Sequence, residues 1–202
     1  MKTANEYENR AWQLGELVVG IDEAGRGPLA GPLVVAGVVF PAGYDSGEIN
    51  DSKQLSEKKR ERLYDVIIRD ALFYQIEIVE PAEIDRLNIL EADRQAMTRI
   101  ALAAPCKTVL TDAVDLYIEK DVTSLIKGDT LSCSIAAGSI LAKVTRDRIM
   151  YEYDRQYPEY GFAKHKGYPT KRHMKALRKY GVLPIHRRSY RPVFEALQQT
   201  LF

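Results

Sequence analysis

The sequence is poor in cysteine, tryptophan and histidine: two, one and three in 202 residues. Cys106 and Cys133 stand 27 positions apart with no CxxC, which argues against a disulfide framework and against a zinc site. The longest apolar run, Leu33 to Phe40, is far shorter than the ~20 residues that span a bilayer, so no membrane partner is expected. Met1 to Arg10 is polar, carries Glu6 and Glu8, and lacks the apolar core of a signal peptide, so a cytoplasmic location is expected. Glycine is present without a nucleotide fingerprint. Gly25, Gly27 and Gly31 stand in GRGPLAG, which is G-x-G-x-x-x-G rather than G-x-G-x-x-G. Pro28 also removes an amide there, and the preceding Asp22 and Glu23 would repel a pyrophosphate. Neither GxxxxGK[ST] nor GxSxG occurs, which excludes a P-loop hydrolase and a nucleophile elbow. No repeat and no low-complexity segment appears.

What is present is an ordinary globular mixture, 46% hydrophobic and 28% charged. Its length suits one domain over residues 1–202 with a sizeable core. The formal net charge of +1 conceals a split. Residues 1–140 hold 15 Lys and Arg against 23 Asp and Glu, whereas residues 141–202 hold 14 against 5. His165, His173, His186 and seven of the twelve tyrosines lie in that basic stretch. A polyanion-binding face and a solvated helical surface explain the basic stretch about equally well.

Hydrophobic patterning places strands at Val18–Asp22, Leu33–Phe40, Phe73–Val79 and Lys107–Asp112. It places helices at Ser56–Leu72 and after the N-cap Asn88, the latter carrying Leu90, Met97 and Ile100. A long helix is expected from Ser134 to about Tyr153. A short basic one is expected over Thr170–Tyr180, and a last one with Pro192 at its first position. The expectation is an α/β sheet over about residues 1–150 with a basic helical region, about 151–202, packed on it.

Four carboxylates fall at element ends. Asp22 and Glu23 close the first strand, Asp112 closes another, and Asp129 lies in KGD before the long helix. Alternation along a strand sends Asp22 and Glu23 to opposite faces, so a shared site requires the chain to bend there. Singly, each carboxylate fits a cap or a surface position better than a site. Together they offer the hard oxygen ligands that Mg²⁺ or Mn²⁺ requires. Beside a basic, tyrosine-rich segment they point to metal-assisted phosphodiester cleavage. Asp51, Ser52 and Lys53 form either a phosphate-holding turn or a helix entry. In YGFAKHKGYPT, Tyr160 to Thr170, the aromatics serve either base or sugar stacking or anchorage of a connector.

DEAGRGPLAGP (Asp22–Pro32), NDSKQLS (Asn50–Ser56), KGDT with SILAKVTRD (within Lys127–Asp147), YGFAKHKGYPT and HRRSY (His186–Tyr190) resemble bacterial ribonuclease HII. They run in family order from about residue 18 to 193. The resemblance implies a ribonuclease H-like fold, a five-stranded mixed sheet flanked by helices with a helical C-terminal region. It implies endonucleolytic cutting of RNA in RNA–DNA hybrids and of single ribonucleotides in duplex DNA. The cut is 5′ of the ribonucleotide and leaves 3′-hydroxyl and 5′-phosphate ends, as ribonucleotide excision repair requires. By position it makes Asp22, Glu23, Asp112 and Asp129 the catalytic metal ligands. Gly25, Arg26 and Gly27 become the segment that senses the 2′-hydroxyl through its backbone. Tyr168 stacks on the sugar of the following deoxynucleotide, and Ser52 and Lys53 contact phosphate. Two Mn²⁺ or Mg²⁺ ions, ~4 Å apart with substrate bound, are the expected cofactors, needing no histidine base. Another two-metal nuclease, such as a junction resolvase, and a silent hybrid-binding protein are the rival classes.

Two departures from the family stand out. Asp112 is followed by Ala113 where glycine is usual, which leaves Asp115 as a competing ligand. The long helix reads IAAGS where the family has SAAS, so Gly138 costs ~1 kcal/mol against alanine unless close packing needs it. The chain is expected as a monomer. Its last residues, Gln198 to Phe202, form a QxxLF pattern resembling peptides that dock on a sliding clamp. Helical spacing of Phe194, Leu197 and Leu201 favours instead a buried stripe.

Overall fold

Five short segments rich in β-branched and aromatic residues form one sheet. They are Val18–Ala24 (β1), Leu33–Val39 (β2), Phe73–Val79 (β3), Thr108–Asp112 (β4) and Asp121–Leu125 (β5) in a computed structural model that describes residues 5–199. The order is β3-β2-β1-β4-β5. β1–β2 and β2–β3 pair antiparallel, β1–β4 and β4–β5 parallel. The described helices are Glu6–Gln13 (α1), Glu57–Asp70 (α2), Pro81–Leu87 (α3), Ile89–Ala103 (α4), Gly128–Leu131 (α5), Cys133–Gln156 (α6), Phe162–His165 (α7), Lys171–Tyr180 (α8) and Arg191–Gln199 (α9). This is the mixed five-stranded sheet with flanking helices that the motifs imply.

Strand alternation sorts the core into two layers. Val19, Ile21, Leu33 and Val35 face Met97 and Ile100 of α4. Val34, Ala36 and Val38 face α2 and α6 through Leu63, Ile67, Ala137 and Ile140. The chain after Gly27 then provides the seat for the C-terminal region. Ala30 packs with Tyr160 and Phe162, and Leu29 with Leu177 and Val193.

α6 lies unusually close to the sheet. A Cβ on Gly20 would sit 2.2 Å from the Ile135 nitrogen, and one on Gly138 would sit 2.6 Å from the Ala36 carbonyl. The glycine in IAAGS therefore serves close packing. α1 is fastened to the start of α6 by the buried Glu8. Its Oε1 accepts from the Ser132 hydroxyl at 2.5 Å and the Ser134 amide at 3.0 Å, where a helix N-terminus favours negative charge.

The expected caps Asn88 and Thr170 are in place, accepting from the Leu90 and Glu91 N–H groups and from His173 N–H, and Ser56, expected inside its helix, caps it by accepting from Lys59 N–H. Other expectations are corrected. β1 continues to Ala24, α2 stops at Asp70, and Pro192 is the second residue of its helix. Leu90, in the first turn of α4, is 60% exposed. Phe194 is 53% exposed because the buried face of α9 is centred between Val193 and Ala196, about 130° away round the helix. Of the expected stripe, Phe194 therefore does not face the core, Leu197 is half-buried, and Leu201 lies outside the described residues.

Gly20→Ala should destabilise the protein by about 2 kcal/mol or more, since the new methyl meets backbone that cannot swing aside. Urea unfolding would measure it, and unchanged stability would contradict this packing. Ala113 takes φ +55° while its N–H donates to the Leu125 carbonyl at 3.0 Å. This left-handed backbone explains why the family prefers glycine there. Ala113→Gly should raise the stability by about 0.5–1 kcal/mol, net of glycine's larger unfolded-state entropy. A lowered Tm would show that no strain resides at Ala113.

Candidate active site

The sheet register builds the acidic centre. β1 and β4 run parallel with Ile21 beside Thr111, so the next residues, Asp22 and Asp112, reach the same level. Asp22 lies on the α6 face, near Ser139, and its Oδ1 accepts the Glu23 amide at 2.7 Å. Glu23 lies on the α4 face, 3.0 Å from Arg26. No bend separates them from the strand. Both border one cleft because it lies across the end of β1, which corrects the expected break. Asp112 Oδ1 accepts the Gly128 amide at 2.9 Å, tying β4 to α5. On α5, Asp129 Oδ2 is 3.5 Å from Lys53 Nζ. Asp129 itself does not line the cleft but meets Lys53, which does, whereas Asp115, the competitor, engages Arg94 through its backbone carbonyl and is likewise absent from the lining.

These carboxylates are held at high electrostatic cost. Burial and the charge of Asp112 push Asp22 up to about 7. Burial, then Asp22 and Asp93, push Glu23 well above the usual carboxylate range. Burial and Asp51 raise Asp129 as well. Glu23 Oε2 is buried without a hydrogen-bond partner. Among the described residues no three His, Cys, Asp or Glu side chains close into a ready metal cage. The donor set nevertheless fits Mg²⁺ or Mn²⁺. Such ions use one or two carboxylates and fill their shell with water and phosphate oxygens. An orphaned, mutually repelling carboxylate group is what an added cation stabilises.

The cleft, about 400 Å³, is walled by Gly25 to Gly27, Ser52, Lys53 and Tyr168. The carbonyls of Gly25 and Arg26 are turned into the protein. Arg187 donates to them at 2.6 and 2.8 Å, and Tyr190 donates its hydroxyl to the Arg26 carbonyl at 2.6 Å. A Cβ on Gly25 would strike the Arg146 side chain at 2.2 Å. A Cβ on Gly27 would lie 3.3 Å from the Tyr168 ring, so that ring stands directly over the segment. Tyr168 is 46% exposed, whereas Tyr160, Phe162 and His165 of the same loop are buried. The loop thus anchors with most of its aromatics and presents one. Ser52 is buried, its hydroxyl 2.9 Å from that of Ser139. Lys53 is exposed toward the cleft.

Several contributors were not singled out from the sequence. Ser139, Lys143 and Arg146 line the cleft from α6. Their i, i+4, i+7 spacing in SILAKVTRD marks one helix face, and that was the available signal. Asp93 was hidden because a lone aspartate in a helix reads as surface. It is fully buried, with Arg26 Nε donating to its Oδ2 at 2.6 Å. Asp51, read from the sequence only as part of a polar triplet, lies beside Asp129 and accepts from the Lys53 amide.

Comparison with known proteins identifies the family and agrees with the fold. The model of the ribonuclease HII family matches residues 19–194. The chain is 50% identical over 189 residues to ribonuclease HII of Lactobacillus helveticus, covering 93% of this chain and 76% of that one. It is 52% identical over 194 residues to ribonuclease HII of Clostridioides difficile, covering 94% and 76%. Among solved structures, ribonuclease H2 from Pyrococcus horikoshii superposes with TM-score 0.77 at 30% identity, over 91% of this chain and 98% of that one. The RNase HII of the PCNA:RNase HII complex from Archaeoglobus fulgidus gives 0.74 at 26%, over 87% and 95%. The chain belongs to the ribonuclease HII family and is a metal-dependent endonuclease of the ribonuclease H type, cutting RNA paired with DNA.

Proposed function

We propose that this ribonuclease H also cuts 5′ of single ribonucleotides embedded in duplex DNA, leaving 3′-hydroxyl and 5′-phosphate ends, and so serves ribonucleotide removal. The observation that carries the reading is the placement of Tyr168 over Gly27 beside the acidic centre. A fixed backbone segment can sense a 2′-hydroxyl at close range, the group that separates RNA from DNA. An aromatic ring one step away can stack on the neighbouring sugar. Asp22, Glu23, Asp112 and Asp129 would hold two divalent ions, Mg²⁺ or Mn²⁺. Such ions supply activation of water and stabilisation of the leaving oxygen when bound. Asp22, held by the Glu23 amide, and Asp112, held by the Gly128 amide, keep their carboxylates at the cleft. Arg26 and Lys53 supply cations that balance part of the acidic charge, and Lys53 stands where a phosphate would approach. The basic residues of 151–202 draw in the duplex, so the whole chain works as one catalytic unit, as a monomer.

Cleavage of a duplex DNA carrying one ribonucleotide, with Mn²⁺ or Mg²⁺, tests the reading directly. Asp112→Asn should lower cleavage at least about a hundredfold with the fold intact, because a neutral amide is a weak ligand for a hard cation. Asp115→Asn should be mild, and the reverse ranking would refute the ligand assignment. Tyr168→Ala should lose about 10- to 100-fold on the single-ribonucleotide substrate and less within a continuous RNA strand. Equal losses on the two substrates would reject a specificity role for the ring.

A second reading concerns Gln198–Phe202. Gln198 is exposed at the end of α9, with Thr200–Phe202 outside the described residues. Since Phe194 does not point to the core, the helical-stripe explanation of the QxxLF pattern weakens. Docking of this segment on a sliding clamp would raise the local concentration of the enzyme on DNA. Full-length protein should bind the clamp of its own organism, and protein lacking Gln198–Phe202 should not. Indistinguishable binding by the two would dispose of the tether.

A further inference from the structure

All three histidines are buried, and none touches the acidic centre. His173 and His186 form one continuous hydrogen-bonded path. The Leu183 N–H donates to His186 Nδ1 at 2.9 Å, the two Nε2 atoms are 3.0 Å apart, and His173 Nδ1 is 3.0 Å from the Tyr168 carbonyl. The ends of the path are backbone groups, one a pure donor and the other a pure acceptor, and they fix every proton between. His173 carries its proton on Nδ1, so its Nε2 is bare and accepts from His186 Nε2–H. The path is complete only when both rings are neutral. A proton added to His173 would set two N–H groups against each other at 3.0 Å. Burial pushes both histidines down to about 4, the charge of His173 adding to the effect on His186.

The surroundings make this path rigid. His165 stacks on His173 with ring centroids 4.6 Å apart, and Phe162 sets its edge against both rings. His165 accepts the Gly167 N–H and meets the Tyr160 carbonyl, so it too is neutral by the same logic. Tyr168 is held at both ends of its peptide: its N–H donates to the His165 carbonyl, and its carbonyl accepts from Thr170 N–H as well as from His173. His186, at the other end of the path, lies opposite Ala30, three residues beyond Gly27, in an antiparallel bridge whose hydrogen bonds run from Gly31 N–H to the Ile185 carbonyl and from Arg187 N–H to the Leu29 carbonyl. The relay therefore joins the two walls of the cleft.

We infer that His173 and His186 are positioning residues that set Tyr168 against the Gly25–Gly27 segment. This rests on the reading of Tyr168 as the sugar-stacking group. Neither histidine reaches the cleft, so each acts only through the tyrosine backbone.

Two substitutions of His173 separate positioning from mere filling of space. Asn places a side-chain N–H where Nδ1–H was. Gln reaches toward His186 and leaves the Tyr168 carbonyl without that donor. kcat/KM is measured on a single-ribonucleotide duplex and on a continuous hybrid, with each variant made alone and combined with Tyr168→Ala. His173→Gln should lose about five- to tenfold on the single-ribonucleotide duplex, the scale of one hydrogen bond, and His173→Asn less than about twofold. The loss from His173→Gln should vanish in the Tyr168→Ala background, because partners acting through one group are not additive. Equal losses for Asn and Gln, or losses that persist without the tyrosine ring, overturn the relay. If Tyr168→Ala itself leaves both substrates unaffected, the reading of Tyr168 fails and the relay with it. Should melting show that His173→Gln is unfolded, His186→Asn, which keeps an acceptor for Leu183 and loses the bond to His173, is read in the same cycle.

Discussion

Two guanidinium groups inside the protein hold the cleft together. Arg146 and Arg187 are 2% and 0% exposed, and among the described residues neither lies within ion-pair distance of a carboxylate. Their donors go to backbone carbonyls instead. Arg146 takes those of Ala30, Pro32 and Lys166, and Arg187 takes those of Gly25, Arg26 and Gly31. Burial lowers Arg146 to about 10, with Arg187 adding to the effect, so the group remains charged at neutral pH. A planar fork of five donors suits several carbonyls converging from one loop, which a lysine could not serve. Removing either arginine would strand those carbonyls away from water, each at about 1–3 kcal/mol. The loop from Gly25 to Pro32 thus owes its shape to side chains from the C-terminal half.

The acidic centre shows the opposite economy. Asp22, Glu23 and Asp129 are all driven toward protonation, and Arg26 and Lys53 relieve them only in part. Folding alone gains nothing from this arrangement. Local conflict of this kind, inside an otherwise consistent core, marks a site whose missing charge is delivered from outside. The family's metal dependence is the corresponding chemistry.

The sheet strands were legible because β-branched runs have few other uses, and the caps at Asn88 and Thr170 because their geometry is local. β5 was not seen in the pattern: DVTSL alternates weakly, and only its pairing with β4 defines it. α1 was missed because Glu8, which fastens it, looks like surface charge until its partners at Ser132 and Ser134 are known. Within the site, the carboxylates were named from motifs, yet their meeting depends on the β1–β4 register, a long-range fact. The histidines were noticed only as part of a basic stretch. Burial, which no local pattern discloses, is what makes them neutral.

Arginines and histidines then prove to solve one problem by different means. A single hydroxyl separates ribose from deoxyribose, and on the proposed reading it is met by backbone on one wall and a ring on the other. Misplacement by about 1 Å at such a contact can cost a hundredfold. Backbone cannot be locked by its own side chains when those are glycines, so the lock must come from donors behind it. On the Gly25 side those donors are permanent cations. On the Tyr168 side they are neutral imidazoles, whose two nitrogens let one proton pattern run from Leu183 to Tyr168. Ala30 belongs to both networks, through its carbonyl to Arg146 and through its bridge to His186. A shift of either wall is therefore felt by the other, and the distance between them becomes a property of the fold rather than of any one loop.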